Sequence, residues 1–427
     1  MWPLDAVGRK ISMTNNPQLL EATLDELKHL FSPRAETGET MVLNMGPQHP
    51  STHGVLRLIV ELDGEILVNT VPDIGFLHTG VEKTAESKTF TKGLVMTDRL
   101  DYLNNMGNNL TYVLAVEKLM DVAVPERAQV IRVILAELQR IASHLIWLGT
   151  HTLDIAIQSM LFWCVREREH ILEIFEDISG QRMMTSYMRP GGLWRDVTPT
   201  FIEKVEAFLE YLPPHLDDYE TMTRNNPIWI DRTQGIGVIS GEQALDWGLT
   251  GASLRGSGVR LDIRKLLPYS GYETYTFDVP VGAHGDVYDR YWVRMLEMRE
   301  SLKIVRQAVD RLKKLAGAPF IADDRKVVPP PRAELGRSME ALIHHFKLWT
   351  EGYSAPVGQV YVSTESPRGE LGVFLAGNGG PKPHRVHFRT PSFVNLQALP
   401  LMTKGHFIAD VVAVVGSIDI VLGDVDR

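Results

Sequence analysis

The sequence has almost no cysteine, because Cys164 is the single one among 427 residues. One thiol cannot form a disulfide within the chain, and it cannot supply the ligands of a thiolate-held zinc or iron-sulfur site. Such sites are excluded for this chain alone, and the low cysteine content predicts a reducing compartment.

Long hydrophobic runs are also missing. The longest apolar stretch, 408–422, is interrupted by Asp410, Gly416 and Asp419, and it is shorter than the roughly 20 residues that a membrane-spanning helix requires. The first residues lack the apolar core of a secretory signal and the Arg-rich character of a transit peptide. We therefore expect a cytoplasmic protein without a transmembrane segment.

Positive charge is in deficit, since 44 Lys and Arg face 53 Asp and Glu, which gives a net charge of −9. This sign is unfavourable for a broad nucleic-acid-binding surface. Hydrophobic residues make up 44% and charged residues 23% of the chain. Both shares are typical of folded soluble domains and exclude disordered, collagen-like and coiled-coil classes.

We predict five regions along the chain. They are an N-terminal arm (1–40), an N-terminal β domain (41–80), a helical core (81–350) with an irregular glycine-rich insertion (235–280), a small β region (351–390) and a C-terminal segment packed back on the core (391–427). The arm has leucines at helical spacing over 18–31. The β domain contains a hairpin, because two runs of strand-forming residues, 55–60 and 65–69, flank the turn Asp63-Gly64.

Helical patterns fill the middle of the chain, and short strand patterns follow them. The predicted helices are 125–146, 153–178, 201–212, 287–315 and 338–349, and the predicted strands are 359–364, 371–375 and 385–389. The predicted fold class is α+β: a central helical bundle with an N-terminal β-hairpin or small sheet and a short C-terminal β region.

His49 and His53 stand four residues apart in a loop, 44–54, whose glycines and prolines prevent a helix. The spacing suits two metal ligands on one helical face, but the helix is missing and no glutamate lies between the histidines. The residues alone leave three alternatives: a zinc site, a histidine that orders its own loop, and a histidine of a functional site.

Signals for nucleotide binding are weak. The glycines of 235–241 are spaced too widely for a dinucleotide-binding turn, and no P-loop sequence occurs. The acidic residues Asp419, Asp424 and Asp426 are typical of a solvated C-terminus, although their apolar neighbours favour a packed one.

Seven sequence blocks are similar to one family. They are MGPQHPSTHGVLR (45–57), GFLHTGVEK (75–83), DRLDYL (98–103), SGYETYTFDVP (270–280), TESPRGELG (364–372), PSFVNL (391–396) and GDVDR (423–427). From about residue 41 to the last residue, the chain resembles the D-subunit family of NADH-quinone oxidoreductase, respiratory complex I. Only the N-terminal arm falls outside the resemblance.

That family is itself similar to the large subunit of nickel-iron hydrogenases, whose metal is held by two Cys-x-x-Cys pairs. This chain has no such pair, so the resemblance implies a hydrogenase-like fold without the metal. We expect no metal on this chain, and we expect the turn at Arg368 and Gly369 to survive as scaffold.

The resemblance implies that a quinone is reduced in the emptied metal cavity, between this chain and the subunit that holds the terminal iron-sulfur cluster. His53 and Tyr102 match the pair that hydrogen-bonds the quinone headgroup, and Gly54 and Thr150 match positions beside it. Asp154 matches the carboxylate that orients the site histidine. From the residues alone, an aspartate at this position favours the capping of a helix.

Two further positions concern the cluster on the partner subunit. Arg99 matches an arginine beside that cluster, where a fixed positive charge favours the reduced state. Met184 departs from the family, because many relatives carry a histidine there. Since methionine does not titrate, this departure argues against proton-linked tuning of the cluster potential through this chain.

The implied function is that of the quinone-site subunit of a proton-translocating NADH:quinone oxidoreductase, with ubiquinone or menaquinone as substrate. The implied partners are the other complex I subunits, especially the terminal iron-sulfur cluster subunit, the C-type peripheral subunit and the quinone-channel membrane subunit. The expected location is peripheral, on the cytoplasmic side of the cell inner membrane, with membrane contact only through partners. Two alternatives stay open: the equivalent subunit of a ferredoxin-driven plastoquinone-reducing complex, and a non-catalytic scaffold of a membrane-bound hydrogenase-like assembly.

Overall fold

The computed structural model describes residues 38–427, which combine α-helices with small antiparallel β-sheets. The helix predicted at 18–31 lies outside the described residues. The helices are α1 (Val81–Ser87), α2 (Phe90–Thr97), α3 (Asn105–Met120), α4 (Glu126–Asp154), α5 (Gln158–Ser179), α6 (Phe201–Arg224), α7 (Pro227–Asp231), α8 (Gly241–Asp246), α9 (Ala252–Gly256), α10 (Ile263–Leu266), α11 (Val287–Lys314), α12 (Arg332–Leu335), α13 (Met339–Thr350), α14 (Pro391–Leu396), α15 (Leu399–Thr403), α16 (Ile408–Ile418) and α17 (Leu422–Asp426). The strands are β1 (Met41–Met45), β2 (Arg57–Asp63), β3 (Ile66–Asp73), β4 (Met188–Arg189), β5 (Gly192–Leu193), β6 (Gly358–Ser366), β7 (Gly369–Gly377) and β8 (Arg385–Arg389).

The N-terminal sheet has β2 in the middle, paired antiparallel with β1 on one side and β3 on the other. The β2–β3 hairpin confirms the predicted one, and β1 adds a third strand. Leu58, Val60 and Leu62 of β2 are buried in one apolar cluster with Val414 and Ile418 of α16. This packing joins the sheet, and the loop between β1 and β2, to the C-terminal part of the chain.

Helix α4 is the central helix, packed against α5, α11 and α16. Predicted to end at 146, it continues to Asp154 because Trp147 and His151 extend its buried face. The predicted start of the next helix at 153 is therefore wrong. A turn around Ala156, with a φ angle of 71°, separates the two helices, and α5 begins at Gln158.

Two other helix boundaries differ from the sequence prediction. Pro125, predicted within the first turn of its helix, is the N-cap residue that precedes α4. Helix α6, predicted to end at 212, continues through Pro213 and Pro214 to Arg224. A proline inside a helix costs about 3 kcal/mol, but buried side chains beyond the prolines, such as Tyr219, keep α6 packed on the core.

The C-terminal sheet has the order β6-β7-β8 and is antiparallel. It confirms the three predicted strands, and β8 has the predicted bounds. The two-residue turn between β6 and β7, Pro367-Arg368, places the Arg368 side chain in the interior, where it is 0% exposed. The stretch 235–280, predicted to be irregular, carries the short helices α8, α9 and α10.

The C-terminal segment packs into the protein. Asp419, Asp424 and Asp426 are all buried, so the packed terminus is confirmed and the solvated alternative is wrong. Between residues 38 and 427, no helix combines the length and the apolar character that crossing a membrane requires.

Candidate functional site

His53 ends a tight turn in the loop between β1 and β2. The backbone N–H groups of Thr52 and His53 donate to the carbonyls of His49 and Pro50, with N–O distances of 3.1 and 3.4 Å. The Thr52 hydroxyl also donates to the His49 carbonyl, at 2.8 Å. His53 has a φ angle of 53° and Gly54 one of 131°. Residues other than glycine rarely adopt a backbone conformation with positive φ. At His53 this conformation turns the side chain away from its own loop and toward α4.

The His53 imidazole contacts Asp154, the last residue of α4. The His53 Nε2 and Asp154 Oδ2 atoms are 2.6 Å apart, and the two side chains are 15% and 14% exposed. A contact this short and partly buried is a charge-assisted hydrogen bond. Asp154 therefore does not cap a following helix, and the His53 side chain does not order its own loop, because Thr52 does so.

The hydrogen-bond donors and acceptors of the two groups determine how the pair can transfer a proton. An ionised carboxylate only accepts hydrogen bonds, so the Nε2–H of His53 donates to Asp154 and Nδ1 is left for another partner. In a neutral ring this Nδ1 only accepts, and in a protonated ring it donates. The pair can therefore pass a proton from Nδ1 to a bound molecule only when the ring is protonated.

Tyr102 stands in the short loop between α2 and α3, which hydrogen bonds hold rigidly. The Asn108 side chain of α3 donates to the Asp101 carbonyl at 2.9 Å. The Asp101 carboxylate accepts from the Leu103 N–H at 3.0 Å, and Gln139 of α4 donates to the Leu103 carbonyl at 2.7 Å. Both neighbours of Tyr102 are thus fixed by side chains from two helices.

The Tyr102 hydroxyl is available for a ligand. Its side chain is half-buried, and within residues 38–427 the hydroxyl has no hydrogen-bond partner. Burial raises the pKa of Tyr102; the positive charge of Arg368 lowers it, while the negative charges of Asp101 and Asp419 raise it. Tyr102 therefore keeps its proton at neutral pH and acts as a hydrogen-bond donor.

Arg368 and Asp419 connect the tyrosine side of the site with the histidine side. Arg368 donates to Asp101 Oδ2 at 2.6 Å and to Asp419 Oδ1 at 3.2 Å. Burial raises the pKa of Asp419, and the positive charges of Arg368 and His53 are among those that lower it. Asp419 thus lies within electrostatic reach of both Tyr102 and His53, which are far apart in the sequence.

The sequence analysis missed His151, which lies one helical turn before Asp154. Its ring stacks on Trp147 and meets the edge of Trp229, with ring centroids 5.4 Å apart in both pairs. Within the described part of the chain, neither ring nitrogen has a hydrogen-bond partner. Burial, helped by the charge of His53, lowers the pKa of His151 well below its usual value, so this ring stays neutral behind the His53–Asp154 pair.

Gly416 of α16 was missed as well. A Cβ atom at this position would collide with His151 Nδ1 and would lie 3.4 Å from Asp154 Oδ2. The Trp147 indole donates to the Gly416 carbonyl at 2.7 Å, which fixes the close approach of α16 to α4. The only sequence signal was a glycine in an apolar helical run, and such a glycine has many other uses.

Gly54 and Thr150 lie on the histidine side of the site. Gly54 is exposed, and a Cβ atom there would approach Leu422 Cδ1 to 3.0 Å. The Thr150 hydroxyl donates to the carbonyls of Ile146 and Trp147, at 3.0 and 3.1 Å. Its proton is used within α4, so Thr150 can offer a ligand only its oxygen lone pair.

The structure does not bring Arg99 and Met184 into this group of contacts. Arg99 is exposed and donates to the Val95 carbonyl at 2.7 Å. Met184 is half-buried in the segment before β4, with a φ angle of 56°. Across residues 38–427, no three His, Cys, Asp or Glu side chains are grouped so that they could hold a metal ion.

The comparisons with known proteins point to one family. The family model described as "Respiratory-chain NADH dehydrogenase, 49 Kd subunit" matches residues 154–427, more than half of the chain. The chain belongs to this family.

Relatives of the family are similar over most of the chain. A D subunit of the NADH-quinone oxidoreductase of Chloroflexus aurantiacus is 61% identical over 389 residues, which cover 91% of this chain and 95% of the relative. A D subunit of the same kind of enzyme from Roseiflexus castenholzii is 61% identical over 420 residues, 98% of both chains. The D subunit from Geobacter sulfurreducens is 54% identical, over 91% of this chain and 99% of the relative. These matches extend the family over the N-terminal half, which holds His53 and Tyr102. The Roseiflexus castenholzii match also includes most of residues 1–40, so the expectation that this arm falls outside the resemblance is wrong.

Proposed function

We propose that this chain is the quinone-site subunit of a proton-translocating NADH-quinone oxidoreductase, and that quinone is reduced beside His53 and Tyr102. The observation that carries the proposal is the His53–Asp154 pair at 2.6 Å. Asp419 supports the grouping of Tyr102 with this pair, because its carboxylate interacts electrostatically with both Tyr102 and His53. Family membership and the names of the relatives support the reaction class.

The residues fit the protons that the reaction needs. Reduction of a quinone to a quinol takes two electrons and two protons, and negative charge builds up on the quinone oxygens before they are protonated. Donors already aimed at these oxygens stabilise that charge. The proposed donors are the Nδ1–H of protonated His53 at one oxygen and the Tyr102 hydroxyl at the other, with Asp154 orienting the imidazole.

Gly54 and Thr150 complete the proposed quinone contacts on the histidine side. Gly54 has no side chain to occupy the space next to His53. Thr150 stands one turn before Asp154 on α4, and its oxygen can accept a hydrogen bond. A ligand held by this side therefore meets donors and acceptors rather than fixed charges alone.

The electrons in this proposal come from an iron-sulfur cluster on a partner subunit. Arg99 is exposed on the same α2–α3 loop that carries Tyr102, a place suited to contact with that subunit. The further partners proposed are the C-type peripheral subunit, the quinone-channel membrane subunit and the proton-translocating membrane arm. Met184 cannot titrate, so cluster potential and protonation are not coupled through it.

The proposed location is the cytoplasmic side of the cell inner membrane, as a peripheral subunit held by its partners. The proposal includes descent from a nickel-iron hydrogenase large subunit without its metal, and the five-region division given above. Salt or alkaline washing of membranes would then release the chain together with other peripheral subunits. Retention of the chain in washed membranes, as for an integral protein, would contradict this location.

The two alternatives are not favoured. The relatives are named as subunits of NADH-quinone oxidoreductases rather than of a ferredoxin-driven complex. A pure scaffold would have no use for the hydrogen-bonded His53–Asp154 pair, or for a half-buried Tyr102 hydroxyl that has no hydrogen-bond partner among residues 38–427. Activity of the assembled complex with NADH, compared with reduced ferredoxin, separates the first alternative directly.

The direct test is labelling with a photoreactive quinone analogue in the assembled complex. We expect labelled peptides to contain His53 or Tyr102, and excess quinone should suppress the labelling. His53→Ala should reduce NADH-driven quinone reduction several-fold. NADH oxidation by an artificial acceptor that takes electrons upstream should stay unchanged. Labelling confined to peptides remote from both residues would refute the site.

A further inference from the structure

Arg368 is the centre of a buried group of charges. Its side chain is 0% exposed, and its two terminal nitrogens donate to Asp101, Ser143 and Asp419 at 2.6, 3.0 and 3.2 Å. Asp424 adds a third negative charge that acts on the same guanidinium. We refer to Arg368, Asp101, Asp419 and Asp424 as the Arg368 cluster.

Negative charge exceeds positive charge in this cluster. Asp101, Asp419 and Asp424 are 2%, 6% and 1% exposed, so water cannot screen them. Arg368 is shared by all three, and Arg294 of α11 is the second cation that acts on Asp419. Three buried carboxylates near two guanidiniums leave one negative charge unpaired. Binding one proton removes this charge and the repulsion between the carboxylates.

Two carboxylate oxygens of the cluster have no hydrogen bond. Asp424 Oδ2 accepts from the Ser392 N–H at 3.0 Å. Among the described residues, the other oxygen of Asp424 and the Oδ2 of Asp419 have no partner. A buried acceptor without a donor is costly, and protonation of one carboxyl turns an orphaned acceptor into a donor. Both free oxygens therefore mark places for a proton.

The cluster adjoins the proposed proton donor to quinone. Asp101 is the chain neighbour of Tyr102, and Arg368, Asp101 and Asp419 all act electrostatically on the Tyr102 hydroxyl. The charged and titratable groups that face the cluster are Asp101 and Tyr102 from the α2–α3 loop, Arg368 from the β6–β7 turn, Arg294 from α11 and His53 from the loop before β2.

We propose that the Arg368 cluster stores one exchangeable proton next to Tyr102 and gives it to the Tyr102 oxygen after the phenol has protonated the reduced quinone. This inference rests on the proposed function. The electrons come from NADH through the complex. The Tyr102 O–H bond breaks as its proton moves to a quinone oxygen. A carboxyl O–H bond of the cluster then breaks as that proton restores the phenol, and a proton from the bulk solvent afterwards reprotonates the carboxylate.

Asp424 is the member that holds the stored proton, because Asp101 and Asp419 accept hydrogen bonds from Arg368, whereas Asp424 accepts only from the Ser392 N–H among the described residues. Burial raises the pKa of Asp424 to about 7, and the charge of Asp101 adds to this effect. Below that pH the proton is present, and above it the proton is lost. Quinone reduction by the wild-type complex should therefore slow as the pH rises through about 7.

The test uses NADH-quinone activity of the assembled complex, measured on both sides of pH 7, with Asp424→Asn. Below pH 7, we expect the variant to be several-fold slower than wild type, because the amide holds no exchangeable proton. The decline in rate that wild type shows above pH 7 should be absent from the variant. Asp424→Glu, which restores a carboxyl group, should recover both the rate and the pH dependence. A purely structural role of Asp424 would lower the rate without removing the pH dependence.

A double variant shows whether Asp424 acts through Tyr102. If it does, Tyr102→Phe with Asp424→Asn should be no slower than Tyr102→Phe alone. An additive loss, or a wild-type rate and pH profile in Asp424→Asn, would overturn the proposal while leaving the quinone site intact. Full activity of Tyr102→Phe alone would instead refute the role of Tyr102 in the proposed function, and the stored proton would lose its acceptor.

Infrared spectroscopy covers the case in which Asp424→Asn does not assemble. A protonated buried carboxyl gives a distinct carbonyl stretch, which should titrate near pH 7 in the wild-type complex and shift in frequency in Asp424→Glu. Absence of a band that shifts with this substitution would overturn the proposal.

Discussion

His53 Nε2 and Asp154 Oδ2 are 2.6 Å apart although the two residues are 101 positions apart in the sequence. The contact depends on three elements: the turn before β2, the C-terminal end of α4, and α16, which packs against both. Because each element alone would leave the two side chains free, the pair reports on the packing of the whole site.

Asp154→Asn keeps the size of the side chain but removes its charge. A hydrogen bond to a charged group contributes about 2 kcal/mol, so we expect quinone reduction to fall about tenfold or more. The measurement is NADH-driven quinone reduction in the assembled complex, alongside NADH oxidation by an artificial upstream acceptor, which should be unchanged.

Glu126→Gln is the matched control. Glu126 lies in the first turn of the same helix and pairs with Arg311 at 2.6 Å, but it is exposed. Its substitution should leave both activities near wild type. Equal losses in the two variants would show that the effect of Asp154 is not specific to the site.

Tyr102→Phe keeps the ring and removes one hydroxyl group. A donor aimed at developing charge contributes about 3 kcal/mol in a water-poor site, so quinone reduction should fall severalfold or more. Electron entry from NADH to the artificial acceptor should be unaffected.

Tyr112→Phe makes the same chemical change outside the site. The Tyr112 hydroxyl is buried and donates to the Phe90 carbonyl at 3.0 Å, so its loss should destabilise the fold by about 1 kcal/mol without lowering quinone reduction. A Tyr102→Phe complex that assembles and retains full quinone activity would exclude the proposed role.

Gly416→Ala tests the packing behind the pair. The added methyl group would collide with His151 and press toward Asp154, and overpacking of this kind costs about 2 kcal/mol. We expect lower thermal stability and lower quinone reduction together. Gly336→Ala, at a position where a Cβ atom meets nothing within 4 Å, should change neither.

Local sequence patterns predicted the elements better than their contacts. The alternation on both sides of Asp63-Gly64 predicted the β2–β3 hairpin, and the strand pattern at 385–389 predicted β8 to the residue. The ends of α4 and α6 were missed because tertiary burial continues both helices beyond the predicted ends, which were Ile146 in α4 and Leu212, just before Pro213, in α6.

The site itself needed the family resemblance. Nothing near Asp154 in the sequence indicates His53, and a helix end alone favours a capping role. The geometry brings these two together, and the assignment of quinone to them stays a prediction. His151, Gly416 and the buried arrangement around Arg368 were missed because buried polar groups and close helix contacts leave no periodic signal.

A pH dependence of stability follows from His144 of α4. His144 is fully buried, and its Nε2 lies 2.9 Å from Glu297 Oε2. Burial lowers the pKa of His144 from 6.5 to about 4, although Glu297 opposes the shift. The folded chain therefore binds fewer protons than the unfolded chain between these two values. The contribution of neutral His144 to the free energy of unfolding is fully present above pH 6.5. It is lost as the pH falls toward 4, and the loss amounts to about 3 kcal/mol.

His144→Gln should remove this acid-dependent loss, because glutamine donates to Glu297 but does not titrate. Hydrogen exchange of α4 in the assembled complex, compared between wild type and variant at each pH, measures the difference. The control is His170→Gln on α5, where the histidine side chain is 45% exposed, and it should leave the wild-type pH dependence intact. If His144→Gln loses α4 protection below pH 6.5 as steeply as wild type, the buried neutral imidazole is not the cause, and the loss must come from the carboxylates paired with arginines around α4.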